Sequence, residues 1–158
     1  MSLEPDAFRA VMGRFACGVT VVTAIDQAGA DHGMTVSAFA SVSLEPPLIV
    51  VCIDKTASMH DVITNAEYFA INILATSQEA LARRFADTGG QKFEGVGYTR
   101  GETGALILND VLAHIECKRV SSTKTGDHAL IIAETIAASV RDVRPLLYYR
   151  GGFTQLER

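Results

Sequence analysis

The chain has 158 residues, 48% of them hydrophobic and 20% charged, with a formal net charge of −4. Length and composition predict one globular domain spanning 1–158, large enough to bury a core without staples. No cluster of Lys and Arg marks a nucleic-acid partner, no apolar run reaches the roughly 20 residues of a membrane span, and the acidic opening MSLEPDAFRA lacks the basic start of a signal peptide, which predicts a cytoplasmic protein.

Pro5 suits the first position of a helix, and Phe8, Val11, Met12 and Phe15 recur at helical spacing, predicting an amphipathic helix over 5–15. Val19–Ile25 is a β-prone run, and Asp26-Gln27-Ala28-Gly29 is a turn into the segment 31–43. The stretch 33–48 carries the hydroxyls of Thr35, Ser37, Ser41 and Ser43 among small apolar neighbours and stops at Pro46-Pro47. Two readings stay open for it: a surface that meets the polar edge of a flat ligand, or a strand whose small and β-branched residues suit a pleat.

Leu48–Ile53 is a continuous apolar run, which predicts a central strand buried on both faces. At its end, Asp54-Lys55-Thr56-Ala57-Ser58 reads either as a phosphate site, with a cation and hydroxyls before a helix, or as an ordinary polar loop with Ser58 as a cap. A short helix over 58–65, a strand over Tyr68–Leu74 and a helix capped by Thr76 with Glu79 follow, the last with Leu81 and Phe85 on its apolar face. Residues 87–104, rich in glycine, read as a long loop. Val111, Ala113, Ile115 and Cys117 alternate with Leu112, His114, Glu116 and Lys118, giving a half-buried strand with Glu116 and His114 on its polar face. A turn at 123–127, a long strand over 128–141 and a last strand over 146–149 complete the chain. Many strands, few short helices and no βαβ alternation indicate an antiparallel barrel with helices added.

Cys17, Cys52 and Cys117 are odd in number, far apart and without a CxxC pair, so buried free thiols are expected rather than disulfides or a zinc site, and no metal is assigned. No Rossmann fingerprint, P-loop, HExxH or GxSxG is present. Of the four histidines, His32, His60 and His114 read as surface residues. His128 follows a glycine turn beside Asp127, where a carboxylate orients a ring or raises its pKa, and it reads either as catalytic or as a turn residue.

Phe8–Phe15, Gly18–Thr23, Gly33-Met34-Thr35, Ser41–Leu48, Gly126-Asp127-His128 and Tyr148–Phe153, in that order, resemble the flavin reductase family with the FMN-binding split-barrel fold, the reductases that serve two-component flavin monooxygenases. The resemblance covers nearly the whole chain and implies an antiparallel split β-barrel. It implies roles by position: Thr35, Val36, Ser37 and Ala38 along the isoalloxazine and ribityl chain; Cys52, Asp54, Lys55, Thr56 and Ser58 along the ribityl phosphate; Arg84, Phe85 and Ala86 closing over the phosphate or the distal half of FAD; His128 by the nicotinamide with Tyr149 nearby. Val36-Ser37-Ala38 stands where the family often has Ala-Asn-Ser, and Ala133 where a glycine is common. The implied activity is an NAD(P)H:flavin oxidoreductase that reduces FMN, or alternatively FAD, at the expense of NADH or NADPH and supplies reduced flavin to a monooxygenase. A homodimer is implied, since a small barrel seldom encloses a whole flavin. A flavin-binding protein without turnover, and a split-barrel oxidase acting on another substrate, are the alternative readings.

Overall fold

The structure, a computed structural model, describes residues 1–157. Helix α1 (Pro5–Met12) precedes β1 (Cys17–Gly18), β2 (Thr20–Ile25), β3 (Asp31–Val36), β4 (Phe39–Ser43) and β5 (Leu48–Asp54). Helix α2 (Ser58–Asn65) leads to β6 (Tyr68–Ile73), and a 3-10 turn (Thr76–Gln78) leads to helix α3 (Glu79–Ala86). Then come β7 (Tyr98–Arg100), β8 (Leu106–Leu108), β9 (Ala113–Thr125), β10 (His128–Val140), β11 (Leu146–Tyr149) and β12 (Gly152–Gln155). Seven strands form one antiparallel sheet in the order β3-β2-β6-β9-β10-β5-β4, while β1, β11 and β12 form a second and β7 with β8 a hairpin. The architecture is mainly antiparallel β with short helices, in keeping with the sequence pattern.

Val36 at one end of the large sheet and Ile49, Val51 and Ile53 near the other share a core with Val22 and Ile71 from its middle. The sheet therefore curls until both ends face one interior, and α2 inserts Met59 and Ile63 into it. A second core lies on the outer side of β2 and β6, where Val21 and Leu74 pack with Ala82 and Phe85 of α3, Leu106 and Leu108 of β8, and Leu146 of β11. Two-sided cover makes β2 buried from Thr20 to Ala24.

Several expectations are corrected. The first helix ends at Met12, not 15, and buries none of its residues in this chain. β5 is not buried on both faces: Ile49, Val51 and Ile53 point inward, while Leu48, Val50 and Cys52 stay partly exposed because no element among the described residues covers their side. An apolar run does not say what lies on its second face. The helix cap is made by Gln78, whose Oε1 accepts the Ala75 N–H at 2.9 Å, rather than by Thr76 with Glu79. Residues 87–104 are not loop throughout, since β7 pairs with β8. Glu116 is 2% exposed, because the turn after β7 folds onto it and Thr103 donates its N–H (2.9 Å) and hydroxyl (2.7 Å) to the carboxylate. Cys117 is buried, with its thiol pushed up to about 12 by burial and then by the Glu116 charge, but Cys17 and Cys52 are only half-buried. His32 is half-buried and bonded to Asp26 at 2.8 Å instead of lying free on the surface.

Candidate functional site

The ladder of β3 stops at Val36 and that of β4 begins at Phe39, leaving Ser37 and Ala38 outside both strands. Local bonds fix this break. The Thr20 hydroxyl donates to the Val36 carbonyl at 2.5 Å, Phe39 N–H donates to the Ser37 carbonyl at 2.9 Å, and Cys52 N–H to the Ala38 carbonyl at 3.0 Å. Upstream, the Thr35 hydroxyl donates to the Ala82 carbonyl of α3 at 2.6 Å. Thr35 thus ties the strand to the helix, and its proton is spent there. Val36 is 5% exposed, with its side chain in the core.

Thr35, Ser37 and Ala86 line a cavity of about 540 Å³. Its other walls are residues the sequence reading did not assign: Arg83, Tyr148, Phe153 and the Gly151-Gly152 backbone. Arg150 and Gly151 both have positive φ, 52° and 77°, at the two-residue turn joining β11 to β12. That turn chemistry is the usual hairpin solution. It pairs Tyr148 with Phe153 across the hairpin, edge to face at 5.5 Å. Arg83 lies over the Phe153 ring at 4.9 Å and is held by Glu79 at 2.7 Å. The result is an aromatic and cationic wall in one cavity with the small polar groups of Thr35 and Ser37. Cys17 touches the same region, and burial pushes its thiol up against the opposing effect of a hydrogen bond with Ser37.

Arg84 and Phe85 do not join this cavity. The Arg84 guanidinium turns away to the carbonyls of Gln91 (3.4 Å) and Glu94. Phe85 is fully buried beneath β3, so that a Cβ added at Gly33 would stand 2.6 Å from its ring. Tyr148 rather than Tyr149 lines the cavity; Tyr149 is 41% exposed.

A second constellation forms where β5 ends and β10 begins. Their register sets His128 opposite Asp54, and Lys55 N–H donates to the Asp127 carbonyl at 3.0 Å. Asp54 accepts the Thr56 N–H at 2.7 Å and hydroxyl at 2.8 Å, bonds that hold its carboxyl below the usual range. His128 Nδ1 meets Asp127 Oδ1 at 2.7 Å, which lowers the Asp127 pKa and leaves Nε2 turned away from that contact. Residues read separately as phosphate-side and nicotinamide-side are thus neighbours. Cys52 lies half-buried two residues upstream, its thiol raised by burial. Ser58 lines a further cavity of about 520 Å³, shared with Gly33, Gln91, Lys92 and Phe93.

FMN joins a flat isoalloxazine, polar along one edge, to a ribityl chain that ends in a phosphate. The first cavity offers an apolar and aromatic lining beside Ser37, and the β5 end offers the Lys55 cation, so the residues present fit a flavin. No helix among the described residues is long and apolar enough to cross a membrane.

Against known proteins, the sequence model of the flavin reductase like domain matches residues 12–157. The chain is 38% identical over 157 residues to HsaB, the reductase subunit of a flavin-dependent monooxygenase from Rhodococcus jostii (strain RHA1), covering 99% of this chain and 80% of that one. It is 38% identical over 152 residues to SmoA, an FMN reductase (NADH) from Agrobacterium fabrum (strain C58 / ATCC 33970), covering 96% and 86%. Among solved structures, the NADH:FAD oxidoreductase SgcE6 of Streptomyces globisporus C-1027, in complex with NAD and FAD fragments, superposes with a TM-score of 0.92 at 35% identity, covering 99% of this chain and 96% of that one.

Proposed function

The chain belongs to the flavin reductase-like family, and from that membership we infer that it is an NAD(P)H:flavin oxidoreductase, with 1–158 acting as one domain. When bound, the flavin supplies the redox chemistry, taking at N5 the hydride that leaves C4 of the nicotinamide. The protein's task is then to bind and orient two flat partners, which accounts for a site without a nucleophile–base pair. The observation that carries the reading is the cleft between Ser37 and the Arg83–Tyr148–Phe153 wall, close to the Thr35–Ala38 segment. FMN is the proposed flavin, with FAD the alternative, and NADH the proposed donor; the names of SmoA and SgcE6 support these choices.

In this reading Thr35, Val36, Ser37 and Ala38 shape the ring site, Thr35 by fixing the strand and Val36 by its backbone. Cys52, Asp54, Lys55, Thr56 and Ser58 serve the tail, with Lys55 as the cation and Asp54 ordering the turn. Ala86 borders the ring site, Arg84 and Phe85 act from behind it, and His128 orients the dinucleotide with Tyr149 nearby. Reduced flavin passes to a partner monooxygenase, in keeping with the name of HsaB. The working form is a homodimer with the site completed at its interface. Phe8, Val11, Met12 and Phe15 are 51–75% exposed, and the outer side of β5 carries Leu48 and Val50 uncovered by this chain, beside Leu130 and Ile132 of β10. We place the protein in the cytoplasm, where free thiols persist.

The deciding experiment is NADH oxidation in air with added FMN or FAD. Loss of NADH over many flavin equivalents supports the reductase. A protein that binds flavin yet leaves NADH untouched refutes it in favour of a binding role.

A further inference from the structure

Lys92 is a cation with an unusual seat. Its ammonium is part-buried, and its hydrogen bonds among the described residues go to two backbone carbonyls, Gly33 of β3 and Phe85 of α3, each at 3.4 Å. β3 stands at the end of the sheet order, where backbone groups facing away from β2 have no ladder partner. Desolvation lowers the Lys92 pKa, against the pull of Asp87. The next residue, Phe93, packs edge-on to Phe85 at 5.0 Å over the bare face of Gly33, where an added Cβ would come 3.1 Å from its ring. Arg84 reaches the same segment from the helix side through the carbonyls of Gln91 and Glu94. Strand, helix end and the 87–97 segment therefore meet at Lys92. Ala86 and Asp87, where that segment begins, wall the cavity of Thr35 and Ser37, and Gln91 to Phe93 wall the cavity of Ser58.

We propose that Lys92 is a positioning residue that pins the 87–97 segment and the end of α3 to the free edge of β3, and so sets the shape of the flavin site two residues before Thr35. The proposal rests on the flavin reading of that site. In this role Lys92 acts through Gly33, Phe85 and the 87–97 segment that contains it, not as a ligand of ring or phosphate.

The test compares Lys92→Met and Lys92→Arg with the parent protein, using FMN and riboflavin as probes. Lys92→Met is expected to raise the Kd of both flavins by the same factor, about fivefold for the loss of two long charge-assisted bonds. It should raise the flavin KM while kcat at saturating flavin and the NADH KM hold, and hasten proteolytic cleavage within 87–97. Lys92→Arg, which keeps the cation, should restore most of the affinity. A merely structural lysine would lower Tm and the active fraction without moving KM, and that outcome overturns the proposal. So does a loss confined to FMN, which would make the ammonium a direct phosphate ligand, and so does unchanged binding with unchanged cleavage. Flavin titration and proteolysis need no turnover. If the parent protein binds flavin but fails to oxidise NADH, the reductase reading falls while the Lys92 result still stands or falls alone.

Discussion

If the flavin tail lies at the end of β5, Lys55 and Thr56 should not contribute equally, although both follow the same strand. The Thr56 hydroxyl already donates to Asp54 at 2.8 Å, and its N–H does so at 2.7 Å. Lys55 has its backbone fixed on Asp127 while its side chain remains exposed and bonds no partner among the described residues. A charge-assisted hydrogen bond contributes about 1.5–3 kcal/mol, and exposure to water places this one at the lower end. Lys55→Ala should therefore weaken FMN by about tenfold. Thr56→Ala removes a hydroxyl committed to the protein, and should weaken FMN by less than about threefold through loosening of the turn. Riboflavin, which lacks the phosphate, should bind Lys55→Ala as it binds the parent. Fluorescence titration of both flavins against both variants measures all four numbers. Unchanged FMN affinity in Lys55→Ala, or an equal loss for riboflavin, refutes a phosphate at this turn.

Other outcomes follow from the same geometry. With the α1 face and the outer side of β5 uncovered, sedimentation at micromolar concentration should give twice the chain mass, and Phe8→Asp with Phe15→Asp should yield monomers that bind flavin more weakly; a parent monomer with full flavin affinity would remove the shared site. On the proposal that its ring orients the dinucleotide, with no proton needed for hydride transfer, His128→Ala should raise the NADH KM with a smaller loss in kcat and little change in flavin affinity; a lower Tm with an unmoved KM would make it a turn residue only. Burial pushes the Glu116 carboxyl up, but the hydrogen bonds from Thr103 and the Glu102 N–H outweigh it and hold the folded pKa below the ordinary value. Its contribution to stability is then fully present above the unfolded pKa of about 4.3 and is lost as pH falls through the folded value. Urea unfolding between pH 5 and 3 should show Glu116→Gln losing less stability on acidification than the parent, and parallel losses would refute the assignment.

The parts of this molecule that were legible in the sequence are those decided by neighbours along the chain. Helix α2 at Ser58–Asn65, the β9–β10 hairpin with Gly126 at φ 61°, and the mainly antiparallel β class all follow from periodicity and turn chemistry. The cavity lining was legible where one short stretch of chain carries it, as at Thr35 and Ser37, and illegible where distant elements bring it together. Arg83 and Arg84 are adjacent arginines on one helix, and nothing local says which of them faces the cavity. The choice is made by Phe153 on the last strand, whose ring lies under the Arg83 guanidinium, and by the carbonyls of Gln91 and Glu94, which take Arg84. Glu116 shows the same principle with the opposite sign. Alternation put it on the wet face of β9, but Gly101 leaves room for its carboxylate and Thr103 supplies the donors, so a charge that strand pattern exposes becomes buried and bonded. Lys92 belongs to this class as well, since its partners at Gly33 and Phe85 are carbonyls. Every residue presents a carbonyl, whatever its side chain, and so a contact made to one leaves no mark on the sequence of the partner.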